Sequence, residues 1–470
     1  MSPMKKLYSK NSQRPSATRK ISPLDGRYAT TLIDVAQLFD EIQLNRTRLV
    51  IEIAWLKTLA EQPEIREIKP LSKPSISYLD KIIQSFDAQD VLRIKKLENK
   101  TKHDIKAIEY FLGEKLAKHP SLKQYREFIH FGCTSDDINN LSYAITIDQA
   151  KTQIILPQLK QLIAQLKQIV KDHAATPMLS HTHGQRATPT TFGKEMANFT
   201  YRLTRQMQYL AQSPILGKFN GTVGNFNALT TAYPQINWQE VSKNFVEKFQ
   251  LEWNPYTTQI EPHDWIVEHC NIIRHCNNIL IGLCRDIWGY VALDYLKQQN
   301  SPTEIGSSVM PHKINPIDFE NAEGNLGIAN ALLTHFSDKL PISRWQRDLS
   351  DSTVMRNLGV AIGHTVLAYK SIGHGLSRLT IDKTKLLEEL DKHWEVLAEA
   401  IQTVMRRFKI KTPYEQLKKL TRGKTTSPEL IHNFIEKLKL PQTTKKKLLE
   451  LTPENYLGLA NELAKNVDNI

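Results

Sequence analysis

The feature that most restricts the fold of this sequence is a long helical period over residues 264–297. Apolar side chains recur three and four positions apart and fall broadly on one side: Val267, Cys270, Ile273, Leu280, Leu283, Ile287, Val291 and Leu296. At 1.5 Å per residue this helix would span about 50 Å, more than a small domain. A helix of that length needs neighbours throughout, so the sequence predicts a bundle to which other subunits contribute.

The same period recurs elsewhere, while strand signals are few and short. It marks an apolar stripe within 148–172 and predicts helices over 317–338, 352–377 and 383–408. The sequence therefore predicts a mainly α fold with a long central helical bundle. We expect four segments: a disordered basic extension (1–20), a helical N-terminal domain (21–123), the central bundle (124–376) and a small helical C-terminal domain (377–470).

Charge and cysteine content limit the class of protein. The 62 basic and 49 acidic residues leave a net charge of +13, but residues 1–20 hold six basic residues and no acidic one. That segment is typical of a disordered tail; a transit peptide is the alternative, although no helical apolar face supports it. No stretch reaches the roughly 18 apolar residues of a membrane span. The four cysteines do not resemble a disulfide framework, which favours the cytoplasm.

The loop Gly306–Pro316 carries two serines, a cation and an amide. Gly306 permits unusual backbone angles and Pro311 and Pro316 stiffen the far side, so the loop is suited to fold over an anion. This string resembles the signature of the aspartase/fumarase superfamily. Members of that superfamily release fumarate from succinyl compounds by β-elimination.

Other motifs resemble one family within that superfamily, the adenylosuccinate lyases of bacterial purine biosynthesis. They are Ile21–Tyr28, Lys102–Asp104, Cys133–Asn140, Thr182–Gln185, Glu261–Asp264 and Arg344–Ser352. The resemblance implies a three-domain homotetramer whose active sites draw residues from three subunits. It also implies cleavage of adenylosuccinate to AMP and fumarate, and of the succinyl-aminoimidazole-carboxamide ribotide to its aminoimidazole product and fumarate.

Such an elimination needs a base that takes a proton from carbon and an acid that protonates the leaving nitrogen. The resemblance assigns the base to Ser307, which requires backbone N–H groups or a nearby cation such as Lys313 to stabilise its alkoxide. His183 is the candidate acid, because imidazole titrates near neutrality. His103 is the second candidate for that role.

The substrate is anionic, and the candidate binding residues are donors and cations. Hydroxyl, amide and ammonium groups for the dicarboxylate come from Thr134, Ser135, Lys313 and Asn315. By resemblance, Arg347, Ser352 and Arg356 hold the phosphate with Arg27 and Tyr28, while Lys102, His103, Asp104, Gln259 and Asn321 contact or orient the substrate. Relatives often carry Asn or Arg at position 102, so the contact of Lys102 stays open.

Three motifs that suggest other chemistry fail on spacing. Gly423-Lys424-Thr425 lacks the earlier glycine of a phosphate loop, Gly217–Gly224 lacks the dinucleotide order, and His181 with His183 has no third ligand at a matching spacing. We expect neither a metal nor a cofactor.

Three alternatives remain open at this point. Another fumarate-releasing enzyme, such as argininosuccinate lyase, would need no substrate phosphate. A non-catalytic helical tetramer is disfavoured by the presence of both His183 and Ser307. Nucleic-acid binding rests on charge alone. We expect small succinyl purine nucleotides as ligands, a homotetramer, and no nucleic-acid or membrane partner.

Overall fold

The computed structural model describes residues 20–299, 310, 314–422 and 426–469. The predicted mainly α fold is confirmed, since helices make up most of these residues. The N-terminal helices are α1 (Ile33–Phe39), α2 (Glu41–Ala60), α3 (Lys73–Gln84), α4 (Ala88–Thr101) and α5 (Asp104–Leu116). Next come α6 (Ser135–Ala150), a π-helical turn (Lys151–Ile155), α7 (Leu156–Asp172), α8 (Phe192–Gln212), α9 (Asn227–Ala232) and α10 (Trp238–Glu247).

The longest described helix, α11 (Asp264–Ala292), has 29 residues. It is followed by α12 (Ile317–Lys339), α13 (Ser350–Met355), α14 (Leu358–Ser377), α15 (Lys383–Asp391), α16 (Ala398–Arg407), α17 (Pro413–Thr421), α18 (Pro428–Lys437), α19 (Gln442–Leu449) and α20 (Ala460–Lys465). Short 3-10 helices span Pro23–Asp25, Lys123–Phe128, Trp394–Leu397 and Asn466–Asn469. No described helix is long and apolar enough to cross a membrane.

The strands of the described residues form three two-stranded sheets. Antiparallel pairs join β1 (Pro177–Thr182) to β2 (Gln185–Thr191) and β5 (Leu296–Gln298) to β6 (Leu379–Ile381), and a parallel pair joins β3 (Leu216–Gly217) to β4 (Glu252–Trp253).

The chain divides into two compact units. The first holds the described residues up to Pro157, Tyr209–Arg274 and Gly327–Leu367; the second holds Gln158–Gln208, His275–Leu326 and the described residues from Ala368 onward. The chain passes between the two units five times, and each of these boundaries falls within a helix.

An aromatic cluster forms part of the core of the first unit. The ring of Trp55 on α2 lies 4.4 Å from that of Phe219 and 5.2 Å from that of Phe245. Its indole N–H donates to the carbonyl oxygen of Phe131 at 2.8 Å. Burial of the ring and of its polar atom therefore fixes the chain that leads into α6.

The second unit contains a separate apolar core near the C-terminus. Its buried members are Trp394, Leu397, Ile401, Met405, Leu417, Ile431, Ile435, Leu438 and Leu448. Elsewhere in this unit the buried Tyr369 hydroxyl donates to Asn277 at 3.0 Å, which satisfies both polar groups.

Three predicted helices are wrong in their limits. Helix α11 ends at Ala292 and not at 297, because Asp294 takes a left-handed φ of 60° and Leu296 is buried in β5. The predicted 352–377 helix breaks after α13 and restarts at Leu358, and the predicted 383–408 helix is interrupted by the 3-10 turn at Trp394–Leu397. Apolar periodicity does not detect these breaks, since buried residues continue across them.

Candidate active site

A cleft of about 460 Å³ opens in the first unit. Its lining is mostly polar: Glu98, Lys102, His103, Asp104, Thr134, Ser135, Asn139, Gln259, Arg347, Leu349, Ser352 and Arg356. Nine of these side chains were predicted as substrate-binding residues from sequence, and they come from chain segments more than 200 positions apart. The fold thus brings cations, hydroxyls and amides together around one space.

The junction between α4 and α5 supplies Lys102, His103 and Asp104. Lys102 ends α4 in a left-handed conformation with φ 54°, and His103 is the N-cap of α5. The Nδ1 atom of His103 accepts the backbone N–H of Lys106 at 3.2 Å, which places the proton of the neutral ring on Nε2. The tight turn therefore presents three consecutive polar side chains to the cleft.

Two guanidinium groups hold Asp104. Its Oδ2 atom lies 2.9 Å from Nη2 of Arg48 and 3.4 Å from Nη2 of Arg356. Burial acts to raise the pKa of Asp104, but Arg48, the N–H of Ile105 and Arg356 outweigh it and lower that pKa. Asp104 is therefore an anion at neutral pH.

The N-terminus of α6 supplies Thr134 and Ser135 to the cleft. A capping box fixes this end, in which the N–H of Thr134 donates to Oδ2 of Asp137 at 2.8 Å. Asp137 also accepts the N–H groups of Asn220 and Gly221 at 3.0 Å each and lies 2.9 Å from Nζ of Lys218. Lys218 and Asp137 are fully buried, so this ion pair sets the position of the Thr134–Ser135 turn.

The segment with Arg347 and Ser352 is held from behind by buried carboxylates. Nη1 of Arg347 lies 3.6 Å from Oδ1 of Asp136. The Oδ1 atom of Asp351 accepts the N–H of Ser352 at 2.6 Å, and its Oδ2 lies 3.5 Å from Nε2 of His263. The buried His263 thus stands behind two of the segments that line the cleft.

Burial and charge act in opposite directions on this cluster. Burial lowers the pKa of His263, but Asp351, Asp136 and Glu261 outweigh it and raise that pKa. Burial raises the pKa of Asp136 and that of Glu261 despite the nearby cations. A protonated His263 therefore offsets the repulsion between these carboxylates.

Gln259 closes another side of the cleft. Its Nε2 atom donates to the carbonyl oxygen of Thr222 at 3.1 Å, which leaves its Oε1 atom as an acceptor for a ligand.

Of the remaining predicted residues, those that the structure describes do not line this cleft. Arg27 and Tyr28 follow the Pro23–Asp25 turn, with the Arg27 guanidinium 5.8 Å from the Tyr28 ring centre. His183 belongs to the second unit, at the exposed tip of the β1–β2 hairpin, where His183 and Gly184 have φ values of 54° and 70°. Asn315 and Asn321, before and within α12, belong to the same unit. Ser307 and Lys313 lie outside the described residues, as do residues 1–19 and 423–425.

One group of side chains in the described residues has donors suited to a metal: Glu52, His130 and Cys133. However, Nδ1 of His130 already lies 2.7 Å from Oε1 of Glu52 in an ion pair. Burial raises the pKa of the Cys133 thiol well above its usual value, so the thiolate that metals prefer is disfavoured. The donor set therefore fits a buried ion pair beside a thiol better than a metal centre.

Sequence reasoning did not assign Glu98, Asn139 or Leu349 to the cleft. Asn139 stood in a motif that was recognised, and its place one turn after Ser135 on α6 was a usable signal. Arg48, which holds Asp104, lies 56 positions earlier on α2, and no local pattern singles it out.

Two family models match the chain. A lyase model matches residues 36–330, and a model of the adenylosuccinate lyase C-terminal region matches residues 343–457. The chain is therefore a member of the lyase family, which its helical fold and polar cleft fit.

Full-length relatives narrow the family. The chain is 50% identical to an adenylosuccinate lyase of Haemophilus influenzae over 452 residues, covering 96% of this chain and 99% of the relative. It is 52% identical to the adenylosuccinate lyase of Escherichia coli K12 over 445 residues, covering 95% and 98%. The chain belongs to the adenylosuccinate lyase family.

Solved structures support the fold. A 3-carboxy-cis,cis-muconate lactonizing enzyme from Pseudomonas putida aligns with a TM-score of 0.75 at 19% identity, covering 93% of this chain and 96% of that one. A fumarate lyase from Mesorhizobium aligns with a TM-score of 0.75 at 18% identity, covering 93% and 97%. At this identity the likeness concerns the fold alone.

Proposed function

We propose that this chain cleaves adenylosuccinate to AMP and fumarate, and the succinyl-aminoimidazole-carboxamide ribotide to its aminoimidazole product and fumarate. The observation that carries the proposal is the set of nine predicted binding residues around one cleft, in a chain about half identical to adenylosuccinate lyases. The volume of the cleft, about 460 Å³, suits a nucleotide-sized ligand.

The charges of the cleft favour a substrate with several anionic groups. Arg347, Arg356 and Lys102 offer cations, and Thr134, Ser135 and Ser352 offer hydroxyl donors. We assign the phosphate to Arg347, Ser352 and Arg356, together with Arg27 and Tyr28. The dicarboxylate is assigned to Thr134, Ser135, Lys313 and Asn315. Lys102, His103, Asp104, Gln259 and Asn321 are assigned to contact or orientation of the rest of the substrate.

The elimination itself needs two proton transfers. Ser307 removes the proton from the carbon next to a carboxylate, and His183 protonates the nitrogen as the carbon–nitrogen bond breaks. These roles are part of the proposal. We also propose that the protein is a three-domain homotetramer with shared active sites and that it is located in the cytoplasm. The groups named are all side chains, so the reaction as proposed draws on no cofactor.

The proposal is tested by incubating purified protein with each succinyl nucleotide, with and without a chelator, and following fumarate. We expect both substrates to release fumarate, each at the same rate with and without the chelator. Argininosuccinate should release none. Fumarate from argininosuccinate but not from adenylosuccinate would reverse the assignment. Activity lost to the chelator and restored by zinc would overturn the metal-free mechanism.

The catalytic roles have their own test. Ser307→Ala and His183→Ala are each expected to lower kcat by about 10²- to 10⁴-fold, because each removes a proton-transfer group. Ser308→Ala, at the adjacent serine of the Gly306–Pro316 loop, is the matched control and should retain most of the turnover. If Ser307→Ala turned over almost normally, the base would be another group.

A further inference from the structure

Arg48 is a charged side chain buried behind the cleft. It lies on α2 and is only 4% exposed. Its Nε donates to Oδ1 of Asn139 at 3.0 Å and its Nη2 donates to Oδ2 of Asp104 at 2.9 Å. Asp104 and Asn139 line the cleft, whereas Arg48 lines an adjoining cavity of about 420 Å³ together with Asp104 and Arg356. One guanidinium fork therefore ties the start of α5 to the first turns of α6.

Asp104 is the point at which Arg48 acts on the cleft. Its Oδ2 atom also accepts from Nη2 of Arg356, at the longer distance of 3.4 Å. Arg48 is buried, whereas the Arg356 side chain is 53% exposed, so Arg48 is the firmer partner of the two. Without Arg48 the carboxylate would have Arg356 as its remaining guanidinium partner, and that pair would tighten at the expense of a ligand.

A role in stability alone does not account for Arg48. Taking a guanidinium out of water costs free energy, and apolar side chains of similar volume often replace buried ion pairs without loss of stability. The fork uses its directional donors on two side chains that face the same cleft. That arrangement orients groups, which an apolar side chain cannot do.

We propose that Arg48 is a positioning residue of the substrate site: it holds Asp104 and Asn139 in place and thereby leaves Arg356 available to an anionic group of the substrate. The inference rests on the proposed function, because Arg356 must bind substrate for its release from Asp104 to matter.

The first test compares Arg48→Met with Arg46→Met. Arg46 lies on the same helix, but its Nη2 donates to the carbonyl oxygen of Phe86 at 2.7 Å. We expect Arg48→Met to raise KM for adenylosuccinate about tenfold with kcat changed by less than about twofold. Arg46→Met should leave KM unchanged. Arg48→Lys keeps one charge beside Asp104 but loses the fork, so its KM should be intermediate.

A double-mutant cycle with Asp104→Asn separates positioning from general stability. If Arg48 acts through Asp104, the double variant should have nearly the KM of Asp104→Asn alone, whereas independent effects would multiply. An unchanged KM in Arg48→Met, an equal change in Arg46→Met, or multiplying effects would each overturn the inference. If Arg48→Met does not fold, a KM in Arg48→Lys equal to that of the wild-type protein would overturn the inference instead. Failure of the wild-type protein to release fumarate would instead reject the proposed function.

Discussion

The wall of the cleft in the first unit and the C-terminal core in the second are both well buried. The wall contains charged side chains, whereas the core contains apolar ones. Behind the cleft lie buried charged side chains: Arg48, Asp136, Asp137, Lys218, Glu261 and His263. The C-terminal core between Trp394 and Leu448 consists of apolar side chains from the Trp394–Leu397 turn, from α16–α19 and from Leu438. The same degree of burial therefore serves two purposes.

Burial of apolar surface stabilises the fold at about 25 cal/mol per Å², without demanding one orientation of each side chain. Buried charges cost desolvation free energy, which only well-placed partners offset. Arg48, Asp136 and Asp137 each contact a residue that lines the cleft, which indicates that orientation is what these buried charges contribute. Substitutions in the wall should therefore change substrate binding, whereas substitutions in the core should change stability alone.

The largest expected effect is that of Lys218→Met. It leaves the fully buried Asp137 without its cation and should destabilise the protein by about 3–5 kcal/mol. KM should rise as well, because Asp137 fixes the N–H of Thr134. Thermal unfolding and steady-state kinetics measure both effects. Lys248→Met removes an exposed ion pair with Glu61 and should change neither. If Lys218→Met unfolded at the same temperature as the wild-type protein, the Lys218–Asp137 ion pair would not contribute to stability.

In the apolar core, Ile431→Ala should destabilise the protein by about 2–5 kcal/mol, because Ile431 is fully buried and its truncation leaves a cavity. At temperatures where the variant stays folded, its kcat and KM should equal those of the wild-type protein. Leu463→Ala, at a side chain that is 55% exposed, is the control and should have little effect. A raised KM in Ile431→Ala would break the division of roles between the two regions.

Arg356→Ala tests the cleft side without a large change in stability, since the side chain is half exposed. We place Arg356 on the substrate phosphate, so its loss should raise KM by an amount corresponding to about 1.5–3 kcal/mol. Against a dephosphorylated succinyl nucleoside, wild type and variant should differ little. An equal rise in KM with and without the phosphate would mean that Arg356 binds another part of the substrate.

The sequence predicted the helical class and most of the cleft, and the two successes have different causes. Apolar periodicity reports burial directly, so α12 was found almost to its limits and α11 was found with its correct first residue. Short motifs identified Lys102, Thr134 and Arg347, and Gln259 just before a motif, because the chemistry of an anion site is concentrated in these side chains.

What the sequence did not predict depends on long-range contacts. The Arg48–Asp104 and Lys218–Asp137 pairs join residues 56 and 81 positions apart, and only the folded chain brings them together. The break between α13 and α14 likewise has no proline to announce it. Residues that position other residues carry no chemical signature of their own.

The smallest expected effect concerns the charge of His263. The carboxylates of Asp351, Asp136 and Glu261 raise its pKa against the effect of burial, and the cations Arg347 and Lys218 act on the same group of carboxylates. A raised histidine pKa means that the charged ring stabilises the fold below the unfolded pKa of about 6.5, and that this contribution is lost as pH rises through the higher folded value.

The same loss of charge should weaken nucleotide binding. Once His263 is neutral, Asp136 draws more strongly on Arg347, which lies 3.6 Å away, and Arg347 is less available to a phosphate. We expect the Kd for AMP to rise about fivefold between about pH 7 and pH 9, a range in which the phosphate is already mostly dianionic. His263→Asn does not titrate and should show a flatter profile. The two proteins differ only at position 263, so the difference between the two profiles isolates His263. Profiles of equal slope would mean that the buried histidine does not control Arg347, and that the wall of the cleft acts through its fixed charges alone.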